Sequence, residues 1–416
     1  MSYLEKILDG VNVEWKTVDD IFHIKNGYTP SKQNIEFWSN GTIPWFRMED
    51  IRKNGRVLSD SIQHVSKLAV KGKLVPENSL LMSTTATIGE YALILIPYLT
   101  NQQISSFSLK ASFADKVNIK YLFYCFFDFG KWCIDNANKN GGLSIIGTTK
   151  LKEYNIPIPP LEIQQKIVAI LDSFTELTAE LTAELTAELT ARKLQYSYYR
   201  EKLYSFDKNK VQHLAMDNES IGVFQRGKRF VKTDLISEGV PVIHYGEMYT
   251  HYGTWADKTK SFLSEKLVKD KNLRVANKGD VVIVAAGETI EDLGKGTAWL
   301  GDEGVVIHDA CFSYKTTLNP KFVAYFTRTK QFHNQIKKHI SSGKISAINS
   351  NGLGKTIIPV PSPEEQERIV SILDKFDILT TSISEGLPKE IELRKKQYEY
   401  YRDLLLTFPK NEIEND

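Results

Sequence analysis

Apolar residues recur at three- and four-residue steps through Ile163, Ile167, Ile170, Leu171, Phe174, Leu177, Leu181, Leu185 and Leu189, with no Gly or Pro between Leu161 and Lys210. Such a stripe predicts one helix over about 162–204, roughly 64 Å long at 1.5 Å per residue. A helix of that length needs a partner for its apolar face. A second stripe, Ile369, Ile372, Leu373, Phe376 and Leu379, offers one, although Gly386 and Pro388 should break or kink the helix that carries it. Elsewhere the pattern mixes β-rich runs (79–96 and 279–287) with amphipathic helical stretches (117–138 and 320–340), which predicts an α+β class.

The two stripes are copies. At a spacing of 202 residues, IPIPPLEIQQKIVAILDSF (156–174) lies against IPVPSPEEQERIVSILDKF (358–376), with Gln164/Gln366, Asp172/Asp374 and Phe174/Phe376 identical. The same spacing aligns RKLQYSYYREKL (192–203) with RKKQYEYYRDLL (394–405). Alternating prolines open each copy and hold the chain extended up to Pro160 or Pro363. The organisation is therefore body 1–155, tail 156–210, body 211–357, tail 358–416. The bodies align poorly with each other, so the tails should do one job twice and the bodies different ones.

Within the first tail, TELTAELTAELTAELTA (175–191) repeats a four-residue unit. A Leu every fourth residue advances about 400°, so the seam drifts by roughly 40° per unit. Because the units are interchangeable, gain or loss of one changes helix length by about 6 Å without altering the packing chemistry.

Composition narrows the chemistry. The chain has 416 residues, 42% of them apolar, and a formal charge of only +2. The bodies are mildly basic (+3 and +5) and the tails acidic (−1 and −5), a balance that suits a polyanion on the bodies. Cys125, Cys133 and Cys311 form no metal or disulfide pattern, and the longest apolar runs are too short for a membrane span, so a cytoplasmic protein is expected. SNGLGKT (350–356) lacks the leading Gly of a phosphate loop, NPKF (319–322) lacks the second Pro of an adenine methyltransferase motif, and GKGTAW (294–299) is no dinucleotide fingerprint. His308 and Asp309 are adjacent with no marked nucleophile, and His308 reads as structural. No catalytic residue, cofactor or metal is expected.

With its duplicated I-P-x-P and Q-x-x-I-V-x-I-L-D tails, its TAEL units and the segments GYTPSKQNIEFWSNGTIPWFRMEDI (27–51), LLMSTTATIGEYA (80–92), TNQQISSFSL (100–109) and GDVVIVAAGETIEDLGKG (279–296), the chain resembles the DNA specificity subunit of type I restriction-modification enzymes, most of all the TAEL-repeat, type IC-like branch. That resemblance implies two target-recognition domains in tandem, each followed by a long helix, the helices packed antiparallel as a coiled-coil-like spacer with pseudo-two-fold symmetry. It also implies that the domains contact the halves of a bipartite double-stranded DNA target. Two methyltransferase subunits and restriction (translocase) subunits would supply the chemistry. A structural adaptor that joins proteins through its helices, without reading DNA, is the alternative.

Punctuated loops carrying amide, hydroxyl and basic side chains are where bases and phosphates are met. In the first body they supply Thr29, Ser31, Lys32, Arg47, Thr84, Thr85, Thr87, Asn101, Gln102 and Gln103. In the second they supply Arg226, Lys228, Arg229, His244, Tyr245, Glu288, Thr289 and Lys344. Trp38 and Trp45 read as packing aromatics, and the exposed faces of Leu194, Tyr198, Tyr199, Tyr400 and Tyr401 as surfaces for partner subunits.

Overall fold

A computed structural model of the chain describes residues 10–138, 143–287, 289–343, 345–381 and 385–408. Both bodies are α+β, as their mixed strand and helix patterns predict, and they share one topology although their sequences align poorly. In the first, a five-stranded sheet runs in the order Phe22–Asn26, Ile104–Leu109, Ser79–Ser83, Tyr91–Ile94, Val57–Leu58. In the second the order is Gly222–Arg226, Cys311–Thr316, Val281–Val284, Gly296–Trp299, Trp255–Ala256. The last-named strand is parallel to its neighbour in both sheets and the other pairs are antiparallel. A smaller sheet around Ile43–Phe46 is matched by one around Val240–Ile243.

The proline-alternating segments are extended, as their chemistry requires. Asn155–Ile158 pairs with Glu14–Thr17, and Ile357–Val360 with Gln212–Ala215, so each lead-in closes its own body before the tail helix starts. That helix runs Leu161–Leu203 in the first copy. In the second it is Pro363–Thr381, with Pro363 at its first position, followed by Leu387–Leu406 beyond Gly386. The helical stretch expected over 320–340 is two helices, Pro320–Phe326 and Lys330–Ile336, because the Thr329 hydroxyl accepts the Phe332 N–H and starts a new helix.

Two compact units result: residues 1–182 with 393–416, and residues 183–392. In the first, Leu80, Phe107, Tyr121, Phe126 and Phe129 of the body pack with Ile167 and Leu171 from the start of its own tail and Leu405, Leu406 and Phe408 from the end of the other. The second repeats the scheme with Val281, Tyr314, Phe322 and Phe326 against Ile369, Val370 and Leu373, and Tyr196 and Tyr204 from the first tail.

The residues identical between the tails have one task each, performed twice. Gln164, fully buried, accepts the Asn118 N–H (2.9 Å) and donates to the Lys116 and Pro159 carbonyls. Gln366 likewise accepts the Asn319 N–H (2.8 Å) and donates to Pro361. Asp172 takes Lys120 and the Tyr124 hydroxyl, as Asp374 takes Lys321 and Tyr325. Burial beside these carboxylates pushes both tyrosine hydroxyls above their ordinary range. Each body helix is thus pinned at its N-terminus to its own tail.

Tail-to-tail contacts are duplicated with the copies exchanged. In the first unit Phe174 meets Tyr401 (5.3 Å between ring centroids) and Thr175 the Tyr398 hydroxyl (3.0 Å), an antiparallel sense. In the second Phe376 meets Tyr199 (5.7 Å) and Asp377 the Tyr196 hydroxyl. Tyr199 and Tyr401 therefore belong to these contacts, whereas Tyr198, Tyr400 and Leu194 stay 58%, 64% and 74% exposed. The tetrads are the least buried part of the stripe: Leu177 is 59% exposed and Leu181, Leu185 and Leu189 are half-buried. A drifting seam leaves no leucine facing inward throughout.

Candidate nucleic-acid interface

A cleft of about 570 Å³ opens in the first body, lined by Thr29, Lys32, Ile35, Trp38, Trp45, Arg47, Gln63, Asn101, Gln102 and Gln103. Six of the ten residues singled out from the sequence of this body meet here. Three segments bring them together. Strand Ile43–Phe46 ends at Arg47, whose N–H is taken by Asp50 as helix Met48–Asn54 begins (2.7 Å). Loop 27–32 is held by the two tryptophans, Trp45 Nε1 donating to the Tyr28 carbonyl and Trp38 Nε1 to that of Ser31, both at 3.0 Å. The tryptophans pack edge to face, as the sequence suggested for Trp45, which is buried; Trp38 is only half-buried and forms part of the cleft wall.

The third segment is a turn at Asn101. Its side chain accepts the Gln103 N–H (3.1 Å) and its carbonyl the Ile104 N–H (3.2 Å), which presents Gln102 at the tip. Gln102 is exposed and bonds Thr29 across the cleft. Arg47 bonds Glu49 (2.9 Å), yet its Nε has no hydrogen-bond partner. Glu49 in turn is held below the usual carboxylate range, by Lys53 first and Arg47 after it. Amide and guanidinium groups aimed into one concavity can take base edges in pairs, and Lys32 at the rim can take a phosphate.

Ser31, Thr84, Thr85 and Thr87 do not line the cleft. Thr84 is buried, with its hydroxyl on the Gln103 carbonyl, and Thr87 bonds Ser83, so this turn supports the Asn101 turn from behind.

The second body has a cleft of about 700 Å³ lined by Arg229, Phe230, Val231, Lys232, His244, Tyr245, Tyr249, Ala286, Gly287, Thr289, Asp292, His308, Asp309, Ala310 and Ile345. It brings together Arg229, His244, Tyr245 and Thr289. Arg226 and Lys228 lie outside it: Arg226 Nε holds the Asp309 carbonyl from the strand, and Lys228 reaches the Lys271 carbonyl. Glu288 and Lys344 fall outside the described residues.

Position by position, the two clefts have one frame. Gly27 N–H bonds Ile104 O, and Gly227 N–H bonds Cys311 O, both at 3.0 Å. A Cβ on Gly27 would stand 2.1 Å from the Asn101 carbonyl oxygen, and one on Gly227 2.1 Å from that of His308. His308 repeats the Asn101 turn: its Nδ1 accepts the Ala310 N–H (3.1 Å) and its carbonyl the Cys311 N–H (2.9 Å). His244 stands where Arg47 does, its N–H taken by Glu247 as Arg47's is by Asp50. His308 and Asp309 are the residues the sequence reading set aside. The register Asn101/His308 would have recovered them, but it requires the offset to drift from 200 at Phe22/Gly222 to 207 at Leu109/Thr316.

Imidazoles and rings crowd the second cleft, with His308 4.9 Å from both His244 and Phe230 and 5.1 Å from Tyr245. Burial holds both histidines below their ordinary value; for His244 the neighbouring His308 adds to this, and for His308 the Asp309 carboxylate opposes it. His308 Nδ1 lies near both the Ala310 N–H and Asp309 Oδ1 (3.0 Å) and serves one at a time. The depressed value favours the neutral ring, which accepts from Ala310 and donates Nε2–H to the Phe230 carbonyl. Cys125, Cys133 and Cys311 are buried, and burial pushes each thiol up to about 12. No helix of the described residues is long and apolar enough to cross a membrane.

A family model described as a type I restriction modification DNA specificity domain matches residues 11–191 and 216–393. Among curated proteins, the chain is 39% identical over 400 residues to the type I restriction enzyme EcoprrI specificity subunit of Escherichia coli, covering 92% of each chain. It is 30% identical to the EcoR124I/EcoR124II specificity subunit of the same organism, covering 99% of this chain and 98% of that one. Two solved structures share the fold. One, titled for complex assembly and conformational transition of the type I R-M system, gives a TM-score of 0.71 at 14% identity over 96% of this chain and 98% of that one. The other, the HsdS subunit from Thermoanaerobacter tengcongensis, gives 0.58 at 13% identity over 96% and 97%.

Proposed function

Because the chain belongs to the type I restriction-modification DNA specificity family, we propose that it is a specificity subunit whose two bodies each read one half of a bipartite double-stranded DNA target. The observation that carries this reading is one frame used twice with different side chains in it. Arg47, Asn101 and Gln102 in the first cleft are answered by His244, His308 and Asp309 in the second. One shared topology with different linings is what two different half-sequences call for. An adaptor that joined proteins through its tails would have no use for it.

Readout then falls to Arg47, Gln102 and Gln103 in the first body and to His244, Tyr245 and Thr289 in the second, with Lys32, Arg229 and Lys232 on phosphates. Thr29 sets the Gln102 amide. The chain supplies no chemistry of its own, and its buried thiols offer no nucleophile. Methyl transfer and cleavage belong to partner subunits, two methyltransferases and the restriction subunits. Exposed Tyr198, Tyr400 and Leu194 on the tails are the surface proposed for the methyltransferases. Selection from random duplexes with the methyltransferase present tests the reading. Enrichment of two short sequences at a fixed gap supports it, and enrichment of none supports the adaptor.

A further inference from the structure

The equivalence of the two turns reaches past the proposed reading to a single base. Asn101 and His308 each accept the N–H two residues on with a side-chain atom, and each accepts the N–H three residues on with its carbonyl. The residue between, Gln102 in one body and Asp309 in the other, is therefore delivered to the same place, at the tip of the turn on the cleft wall. In hydrogen-bonding terms the two could hardly differ more. An amide both donates and accepts, whereas a carboxylate only accepts.

The surroundings follow the same division. Cations but no carboxylates line the first cleft; the second contains Asp292 and Asp309. Asp292 is ion-paired with Lys295. Asp309 is fixed through its backbone instead, its carbonyl held by Arg226 Nε at 2.9 Å. Its carboxylate is one-third exposed, and its near neighbour is the His308 Nδ1 that the Ala310 N–H already occupies. It faces the cleft beside Arg229 and Lys232, which can neutralise the phosphates a bare carboxylate would repel.

The geometry points to Asp309 as a base-reading residue of the second half-site, selecting cytosine through its exocyclic amino group. In the major groove cytosine offers a donor; adenine pairs its donor with the N7 acceptor, which an amide satisfies and a carboxylate repels; guanine and thymine offer acceptors. Gln102, at the equivalent tip, has the complement for adenine. The inference rests on the reading that both clefts face DNA.

The test is selection from random duplexes by the full chain with its methyltransferase subunits, comparing wild type with D309N, D309A and, as the reciprocal change, Q102E. D309N and D309A should each lower discrimination at one C·G pair of the second half-sequence by about ten- to hundredfold, leaving the first half-sequence and the gap as they were. Q102E should alter the first half-sequence alone. Retention of the other pairs of the second half-sequence shows that the second body of the Asp309 variants is folded. Full discrimination retained by both Asp309 variants, or a change confined to the first half-sequence, overturns the assignment while the bipartite reading stands. Failure of the wild-type chain to enrich any gapped motif overturns both.

Discussion

Replacing Gln164 by Leu tests whether the residues shared by the tails pin each body to its tail. Leucine nearly conserves volume, so packing changes little. What goes is the acceptor for the Asn118 N–H and the donor for two carbonyls, in a fully buried position. The orphaned N–H costs about 1–3 kcal/mol, and the carbonyls, each with a second lone pair, add less. A loss of that size raises the population of locally open states by roughly 5- to 150-fold. Hydrogen exchange measured segment by segment reads it directly.

In Gln164→Leu, amides of helix Ile119–Asp135 and the first turns of Leu161–Leu203 should exchange faster by that factor, while those of Pro320–Phe326 and Pro363–Thr381 keep their wild-type rates. Gln366→Leu should do the reverse, since it orphans the Asn319 N–H. The two losses should add in the double variant, the sites sharing no partner. Unchanged exchange in Gln164→Leu, or equal acceleration in both units, would refute the reasoning.

Three further outcomes follow from the same structure. Gly227→Ala places a Cβ against the His308 carbonyl and should cost about 1–3 kcal/mol, seen as loss of the second half-sequence in duplex selection with the first retained; Gly27→Ala should do the opposite. Burial lowers the pKa of both His244 and His308, so protonation opposes folding: stability is complete above the ordinary imidazole value and is lost as pH falls through the depressed folded values. Thermal melts between pH 7.5 and 5 should show the decline, and His308→Asn, which keeps an acceptor for Ala310 as Asn101 does for Gln103, should flatten it. Deleting one tetrad, residues 182–185, removes about 6 Å and 40°; since one base pair turns 34–36°, the gap of the target should shorten by one base pair with both half-sequences kept, and a map with altered half-sequences and an unchanged gap would refute it.

Periodicity made the tails legible almost to the residue. The stripe predicted 162–204 and the helix is Leu161–Leu203, because uninterrupted helix formers between Pro160 and Lys210 leave the chain little else to do. Gly386 and Pro388 likewise marked the break that ends in helix Leu387–Leu406. Shared topology in the bodies was hidden. Its strands are short and its loops differ in length, so no single offset aligns Gly27 with Gly227 and also Asn101 with His308.

Loop chemistry was half legible for the same reason. Polar types alone picked out Arg47, Asn101, Gln102 and Gln103, which the structure brings to one cleft, but they also suggested Thr84, which is buried under the turn it supports. A lone His beside an apolar run is ordinarily structural, and His308 does hold its turn through Nδ1 and tie it to the Phe230 carbonyl through Nε2. Its value as a marker for Asp309 emerges only once the two turns are superposed in register.

Mapping methylated positions across the genome of cells that express this chain with its cognate methyltransferase tests the central claim most directly. Two different short sequences separated by a constant gap, each changing only when its own cleft is mutated, is the predicted result. A continuous motif, or one whose two halves both change when a single cleft is altered, would contradict the account.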